Sequence, residues 1–241
     1  MPERRVPVGW RLTTPDAALA FLPPELITEA GAPAEAAALG SLAARTILFR
    51  CPFDLRLEIS PPAVRPVRIT RDESVPGLTE TGFKALVTMI APSAQRSRTT
   101  PAVQISLNTM LITDAPATLI LTPPFASTAF RDWPGTLVGG RFPLTNWPRA
   151  LNAVLEWQDR DRAWSLRRGD PLAYARIDFG DPDAVPELVE AASTPALTRH
   201  FAQISNVVAF GRNVGPMFEE AARRRPARLL VPKKTGTPVW E

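Results

Sequence analysis

The spacing of apolar residues along the chain changes twice. The stretches "PDAALAFL" and "PAEAAALGSLAART" predict short helices within residues 15–45, because each begins with a proline that suits the first helical turn. From residue 46 the apolar runs become shorter, and some of them alternate with polar residues. Asp54–Ile59 alternates polar and apolar residues with the period of two that is typical of a half-buried strand. The sequence therefore predicts helices first and a sheet after them.

Short apolar runs continue to residue 180, each bounded by Pro, Gly, Asn or Asp. In "VRPVRIT" the alternation again predicts a strand, and Pro66 places that strand at a sheet edge. "FKALVTMIA" fits a strand or a helix. The remaining runs are "VQISLNTMLIT", "ATLILTPP", "GTLVGGRFPLT", "LNAVLEWQ", "RAWSLRRGDP" and "LAYARIDF". Regularly spaced short strands of this kind indicate a sandwich or barrel.

From Pro182 the apolar spacing of three and four predicts helices again, in "DAVPELVEAAS", "PALTRHFAQISNVVAF" and "GPMFEEAARRR". The sequence thus predicts one compact α+β domain. Its parts are a helical N-terminal segment (1–45), a β-core (46–180), and a helical C-terminal segment with a basic tail (181–241). The β-core is flanked by short helices at both ends.

Composition narrows the class of protein. Proline, at 27 of 241 residues, is about twice as common as usual, which favours short, interrupted elements. No apolar run reaches the roughly 18 residues that span a bilayer, so no membrane span is expected. The N-terminal charges precede no apolar signal region. Cys51 is the only cysteine, so no internal disulfide is possible and a cytoplasmic location is expected.

Positive charge is concentrated near the C-terminus. The net charge is +4, and "RRRPARLLVPKK" holds six cations without an acid. Such a tail can contact nucleic acid or an acidic partner, although a solvated terminus is the simpler interpretation. The predicted contact residues are Arg223, Arg224, Arg225, Lys233 and Lys234.

Few residues are available for catalysis. His200 is the only histidine, so one chain cannot supply a zinc site with two histidines. It lies in the helical stretch "LTRHFAQI" and is predicted to be a satisfied or surface histidine. Cys51, beside a proline in "FRCPFD", is predicted to be a buried, inert thiol. No phosphate-binding glycine loop occurs, and no metal or cofactor is predicted.

Carboxylates lie in or beside the predicted strands, several of them at strand ends. They are Asp54, Glu58, Asp114, Asp132, Glu156, Asp170, Asp178 and Asp181. Such positions can bind a divalent cation, but Asp is also a common turn and cap residue. The turn role is the preferred interpretation.

The stretch Arg131–Trp157 is the best place for a ligand site. It contains three of the six tryptophans and the Gly139–Gly140 pair, which predicts a bulge or a close backbone approach. The candidate ligand-binding residues are Arg131, Trp133, Arg141, Asn146 and Trp147. The alternative is that these tryptophans, with Trp164, pack a β-core and its corners. Trp157 fits that alternative, whereas Trp133 and Trp147, each beside a proline, are predicted at the surface.

Motif order gives a resemblance to known proteins. The pieces "CPFDLRLEI", "LITDAPATLILTPP", "PGTLVGGRFPLTNW" and "LRRGDPLAYARIDF" occur in the order seen in a family of uncharacterised bacterial and phage-encoded β-proteins, which this chain resembles over about half its length. The same order is similar to the β-clip of the deoxyuridine triphosphatase and deoxycytidine deaminase superfamily. The resemblance implies a jelly-roll or β-clip-like sandwich, mostly antiparallel.

In that superfamily a hairpin binds the base, and the matching stretch here is Leu137–Asn146. No Asp follows Val138, no tyrosine lies nearby, and Tyr174 stands where glutamine is expected. These departures disfavour the superfamily's catalytic activity. The first hypothesis is therefore a non-catalytic binding or assembly protein with a protein partner or a homo-oligomeric state. The alternative is an enzyme that acts on a small anionic or nucleotide-like ligand through carboxylates and arginines.

Overall fold

The computed structural model describes residues 3–13, 21–64, 66–75, 78–97, 99–146, 150–210, 219–220 and 222–233. The α-helices in these ranges are α1 (Pro33–Leu39), α2 (Glu80–Leu86) and α3 (Pro195–Phe210). The strands are β1 (Arg4–Leu12), β2 (Glu25–Leu26), β3 (Thr46–Arg50), β4 (Leu55–Ile59), β5 (Ile69–Arg71), β6 (Val87–Met89), β7 (Ala102–Ile112), β8 (Thr118–Thr122), β9 (Gly135–Leu137), β10 (Gly140–Pro143), β11 (Ala150–Trp157), β12 (Trp164–Leu166), β13 (Pro171–Asp178) and β14 (Ala184–Glu190). The β-rich α+β fold is thus confirmed.

The strands form three sheets. Sheet I has the order β14–β1–β7–β11–β9, with β6 also paired to β7, and sheet II has the order β10–β8–β13–β3–β2. Sheet III is the small sheet β12–β4–β5. The β1–β14 pair is parallel, and the other paired strands in the described ranges are antiparallel.

One apolar core joins the three sheets. It includes Ile105 and Leu155 of sheet I, Ile47 and Ala175 of sheet II, and Leu57 of sheet III, all fully buried. Along β4 the buried residues alternate with more exposed ones, which confirms the strand predicted from the period of two. Burial of this many branched side chains is the main source of stability for the sheets.

The sequence predicts a helical N-terminal segment, but the structure shows that part of this segment forms strands. Residues Arg4–Leu12 form β1 and Glu25–Leu26 form β2, while the helix predicted at "PDAALAFL" falls mostly on residues outside the described ranges. The helix at Pro33 is confirmed as α1, with the proline in its first turn. β1 is a strand because β7 and β14 hydrogen-bond to its two edges.

The helix predicted in "DAVPELVEAAS" is wrong. Residues Ala184–Glu190 form β14, which pairs in parallel with β1 from Arg4↔Ala184 to Trp10↔Glu190. Pro186 is tolerated because β14 lies at the edge of sheet I, where a missing N–H need not break the ladder. The sheets therefore extend beyond residues 46–180 on both sides.

Two ambiguous stretches are resolved. The stretch "FKALVTMIA" ends the helix α2 at Leu86 and continues as the strand β6. The helix prediction is therefore right for its first part and the strand prediction for its second. Thr79 caps that helix through its side-chain oxygen, which accepts from the Gly82 N–H. In "VRPVRIT" only the last two residues enter β5, at the edge of sheet III, as Pro66 predicts.

A second apolar cluster attaches the C-terminal part of the chain to sheet I. It brings Met110 and Ile112 of β7 together with Leu197 of α3 and with Leu229 and Leu230. A Cβ on Gly9 would overlap the Leu230 side chain, so glycine in β1 allows this close approach. None of the described helices combines the length and apolar character needed to cross a bilayer.

Candidate functional site

A cavity of about 190 Å³ lies where sheets I and II come together at the stretch Arg131–Trp157. Sheet I contributes residues of β7 and β11, and sheet II contributes residues of β8 and β10. The lining residues are Gln104, Leu119, Leu121, Val138, Gly139, Phe142, Leu144, Ala150, Leu151, Asn152 and Val154. We call this the inter-sheet cavity. It falls within the stretch that the sequence indicates as the best place for a ligand site.

The Gly139–Gly140 pair shapes one wall of the inter-sheet cavity. The chain leaves β9 of sheet I, passes through Val138 and Gly139, and enters β10 of sheet II. A Cβ on Gly139 would lie 2.9 Å from the carbonyl oxygen of Leu121, closer than ordinary contact. A Cβ on Gly140 would lie 2.5 Å from the Phe142 ring. The close backbone approach predicted from these glycines is confirmed.

This crossing also corrects the hairpin implied by the β-clip resemblance. Within Leu137–Asn146, β9 pairs with β11 and β10 pairs with β8, so the two strands belong to different sheets. The stretch is a connection between sheets, and the wall that it builds faces the inter-sheet cavity instead of presenting a base-binding loop.

Two amide side chains give the inter-sheet cavity its polarity. Val154 pairs with Gln104 and Asn152 pairs with Ser106, so the two amides lie diagonally on one face of neighbouring strands. Neither amide forms a side-chain hydrogen bond to another residue of the described ranges. The other lining side chains are apolar, and none of the lining residues carries a charge. The arrangement suits an apolar group whose edge offers a hydrogen-bonding atom.

The structure does not bring the predicted ligand-binding residues to this cavity. Arg131 and Asn146 are exposed on short 3-10 turns, and Arg141 is exposed on β10, where its guanidinium lies 4.0 Å from the Asp178 carboxylate. Trp147 lies outside the described residues. Gln104 and Asn152 were missed because a polar residue on a strand carries no signal of a cavity until the second sheet is in place.

Trp133 is buried, so its predicted surface position is wrong. Its exposed fraction is 7%, and its ring lies 5.1 Å from Phe130 and 5.0 Å from Trp164. Trp164 in turn makes an edge contact with Trp157, which confirms the core position predicted for Trp157. The clustered tryptophans of the described ranges pack the core.

Several of the strand-end carboxylates accept backbone hydrogen bonds at turns or form ion pairs. Asp54 accepts from the Arg168 N–H, and Asp170 accepts from the Arg167 N–H. Glu156 accepts two hydrogen bonds from Arg96, at 2.8 and 2.7 Å, and this guanidinium holds the pKa of Glu156 below its usual value. Within the described residues no group of three or more His, Cys, Asp or Glu side chains is placed to hold a metal ion.

The thiol and the imidazole are both buried. Burial raises the pKa of Cys51 to about 12, and its Sγ donates to the carbonyl of Phe53, which supports the prediction of an inert thiol. His200 is only 2% exposed, and neither ring nitrogen has a hydrogen-bond partner within the described ranges. The prediction that His200 is satisfied or at the surface is therefore wrong.

The basic run is mostly paired with acids. Arg223 and Arg224 both form ion pairs with Glu220, and Lys233 forms one with Glu190. The Arg225 side chain is 8% exposed and pairs with Asp114 at 2.7 Å. Arg225 is consequently a structural residue, unlike the tail contact predicted from sequence, and Lys234 lies outside the described residues.

Neutralising the two exposed arginines tests the nucleic-acid hypothesis without disturbing Arg225. We expect Arg223→Gln/Arg224→Gln to leave retention on DNA and RNA columns unchanged at each salt concentration, because both cations are already paired with Glu220. Elution at clearly lower salt for the double variant would contradict this expectation and would support a nucleic-acid contact.

No protein-family model matches the sequence, and no curated protein matches it.

Proposed function

We propose that the chain is a non-catalytic binding or assembly protein, a β-sandwich subunit or interaction module whose inter-sheet cavity takes one apolar side chain of a protein partner. The observation that carries the proposal is the cavity itself, with about 190 Å³ of space, an uncharged lining and two amides without side-chain partners in the described ranges. An apolar cavity of roughly 150 Å³ is enough to hold a benzene molecule. The inter-sheet cavity is thus matched to an aromatic or branched side chain.

Size and charge both favour a side chain over a nucleotide-like ligand. Sites for whole small molecules are commonly about 300–1,000 Å³, which is larger than this cavity. An anionic ligand also needs a cation, and the arginines proposed for that role lie elsewhere. Arg141 is near Asp178, and the Arg168 side chain donates to the carbonyl of Pro52. The enzymatic alternative has correspondingly less support.

The buried thiol and imidazole also support a non-catalytic role. A thiol whose pKa is raised to about 12 is protonated at neutral pH and is a poor nucleophile. His200 has no carboxylate or hydroxyl partner in the described ranges, whereas the histidine of a Ser-His-Asp triad has both.

The finer architecture belongs to the same proposal. Sheets I and II contribute alternate residues to one core, as the two sheets of a sandwich do. We therefore favour a single domain with a jelly-roll or β-clip-like sandwich, in keeping with the resemblance in motif order. In such folds a partner often binds by adding a strand to an exposed sheet edge. The strands β9 and β10, on either side of the crossing at Gly139, are both edge strands and would serve for such assembly.

Filling the inter-sheet cavity tests the proposed function. We expect the methyl NMR signals of Val138, Leu151 and Val154 to shift when the side-chain mimics toluene, p-cresol or indole are added. Val154→Phe places a ring in the cavity and should weaken the binding of these mimics at least about tenfold, since about 1.4 kcal/mol of lost contact has that effect. Val231→Phe makes the same change at an exposed position and should alter nothing.

The same variants connect the cavity to assembly. If the partner is another copy of the chain, Val154→Phe but not Val231→Phe should reduce self-association in sedimentation experiments. Equal binding of the mimics to Val154→Phe and the wild type would overturn the proposal. Binding of AMP or another nucleotide in place of the mimics would favour the enzymatic alternative.

A further inference from the structure

The outer face of sheet II carries a second concave surface, on the side opposite the core. In the ladder of this sheet, Arg141 pairs with Ile120 and Ile120 pairs with Arg176, so the three side chains stand in one row on the same face. Thr122 and Tyr174 form the next row on that face. Arg141 lies outside the groove that this face carries. The groove has a volume of about 80 Å³ and is lined by Leu39, Leu42, Thr46, Ile120, Thr122, Phe125, Tyr174 and Arg176. We call it the outer groove.

Apolar side chains are exposed at the outer groove. Phe125 is 54% exposed and Leu42 is 37% exposed, which makes them two of the four exposed large apolar residues in the described ranges. The Phe125 ring is held edge-on against Tyr174, with 5.6 Å between the ring centroids. An aromatic ring held in place by another ring and left open to water is a typical anchor for a partner.

Arg176 gives the outer groove its charge. This arginine lines the groove and is half-buried, yet its guanidinium forms no ion pair or hydrogen bond to another described residue. Arg50 of the neighbouring strand β3, also partly buried, donates to Glu25, Gly169 and Ala30. Arg176 therefore keeps five donors without partners in the described ranges, beside apolar surface that lowers the local dielectric.

The carboxylates near Arg176 already have other partners. The Tyr174 hydroxyl donates to Glu35 of α1, and the Asp178 carboxylate lies 4.0 Å from Arg141. Neither carboxylate is within ion-pair distance of Arg176. The groove thus combines an open aromatic ring with an unmatched positive charge, and its complement is an apolar group beside a carboxylate.

We propose that the outer groove binds a segment of an acidic protein partner, in which an apolar side chain packs on Phe125 and Leu42 while an adjacent carboxylate accepts hydrogen bonds from Arg176. A guanidinium binds a carboxylate through two parallel hydrogen bonds, which fixes the orientation of the segment as well as its charge. This surface is separate from the inter-sheet cavity, so it extends the proposed function and can succeed or fail independently of it.

A pair of matched probes tests the proposal on the wild-type chain. N-acetyl-L-phenylalanine carries an aromatic ring and a carboxylate, whereas N-acetyl-L-phenylalaninamide has the same ring without the charge. We expect the acid to shift the Ile120 methyl signal in NMR titrations and to bind about tenfold more tightly than the amide. The difference should shrink as salt is raised, because the contact is partly exposed.

Variants then separate the contribution of the Arg176 charge to probe binding from that of the Phe125 ring. Arg176→Gln should weaken binding of the acid about tenfold and bring it level with the amide. Arg68→Gln removes an exposed arginine next to sheet III and should leave both probes unaffected. Phe125→Ser, at an exposed position, should weaken the acid and the amide to the same extent.

Two results would overturn the proposal. One is a missing charge effect, seen either as equal binding of the acid to Arg176→Gln and the wild type or as equal binding of acid and amide to the wild type. The other is self-association of the chain that Phe125→Ser abolishes while neither probe binds, which would show that a second copy covers the groove. Val154→Phe should leave probe binding at the outer groove intact, so a failed inter-sheet cavity and a failed outer groove are distinguishable.

Discussion

Arg225→Leu is expected to lower the free energy of unfolding of the C-terminal part of the chain by about 3 kcal/mol. Breaking a buried ion pair commonly costs about 3–5 kcal/mol, and the lower end applies because Asp114 keeps 28% of its side chain exposed. The Arg225 guanidinium donates to the carbonyls of Thr113 and Thr145 as well as to Asp114. Leucine would leave these acceptors without their donor in a partly buried site.

Asp114 explains why the loss should spread along the chain. Its two carboxylate oxygens accept from the backbone N–H groups of Leu229 and Leu230, which belong to the second apolar cluster. When the arginine is removed, the carboxylate loses its main counter-charge and its hold on this segment weakens. Hydrogen exchange of the Leu229 and Leu230 amides should accelerate about a hundredfold, as expected for a loss of roughly 3 kcal/mol.

The neighbouring arginine is a matched control. Arg224 is 71% exposed and pairs only with Glu220 in the described ranges, so Arg224→Leu should change the free energy of unfolding by no more than about 0.5 kcal/mol. Denaturant titration and hydrogen exchange measure both variants. Similar losses for Arg224→Leu and Arg225→Leu would show that Arg225 contributes charge alone and that the contacts to Asp114 and the carbonyls carry little stability.

The sequence predicts local structure well where burial alternates within one strand. The pattern over Asp54–Ile59 needs no information beyond the strand itself, and β4 follows it. Pro33 also acts locally, because its fixed φ angle suits the first turn of α1. The structure at these positions is correctly predicted because it depends on the residues themselves and not on a distant part of the chain.

Prediction fails where a distant segment decides the structure. The apolar residues of Ala184–Glu190 fit a helix when taken alone, but β1 at the other end of the chain provides a parallel partner for them. Trp133 shows the same limitation. The adjacent proline correctly marks a turn, yet the turn folds inward because Trp164 of sheet III offers an aromatic surface. No pattern within either segment reveals its partner.

The residues of the candidate site likewise fall into those with a local signal in the sequence and those without one. The Gly139–Gly140 pair gives a local signal, since only residues without a Cβ fit so close to Leu121 and Phe142. Gln104 and Asn152 give none, because they line a cavity only once Leu119 and Leu121 of β8 lie beside them. The neighbours of Arg225 in the sequence predict a contact of the basic tail, whereas the ion pair with Asp114 gives Arg225 a structural role.

His200→Leu is expected to stabilise the chain and to make its stability less sensitive to acid. Both ring nitrogens are buried without partners in the described ranges, and burying such a group costs about 1–3 kcal/mol. An apolar side chain of similar size in the same place, next to Leu197 and the second apolar cluster, avoids that cost. We expect the free energy of unfolding at pH 7.5 to rise by about 1–2 kcal/mol.

The pH dependence follows from the direction of the pKa shift. Burial, and after it the charge of Arg225, lowers the pKa of His200 below its ordinary value of 6.5. Below about pH 6.5 the unfolded chain therefore binds a proton that the folded chain does not, and the free energy of unfolding falls as the pH decreases towards the folded pKa. Above pH 6.5 this loss is absent. Because His200 is the only histidine, no other imidazole titrates in this range.

Urea titrations of the wild type, His200→Leu and His200→Gln at pH 7.5 and 5.5 separate the two effects. The wild type should lose stability between these pH values, whereas both variants should lose less, since neither replacement takes up a proton there. Glutamine keeps buried polar atoms at the site, so only leucine should also raise the stability at pH 7.5. The Asp and Glu side chains are the same in all three proteins, so their contribution cancels when the proteins are compared. A wild type as stable at pH 5.5 as at pH 7.5, with leucine destabilising, would mean that partners satisfy the imidazole and that it is a structural hydrogen-bonding group.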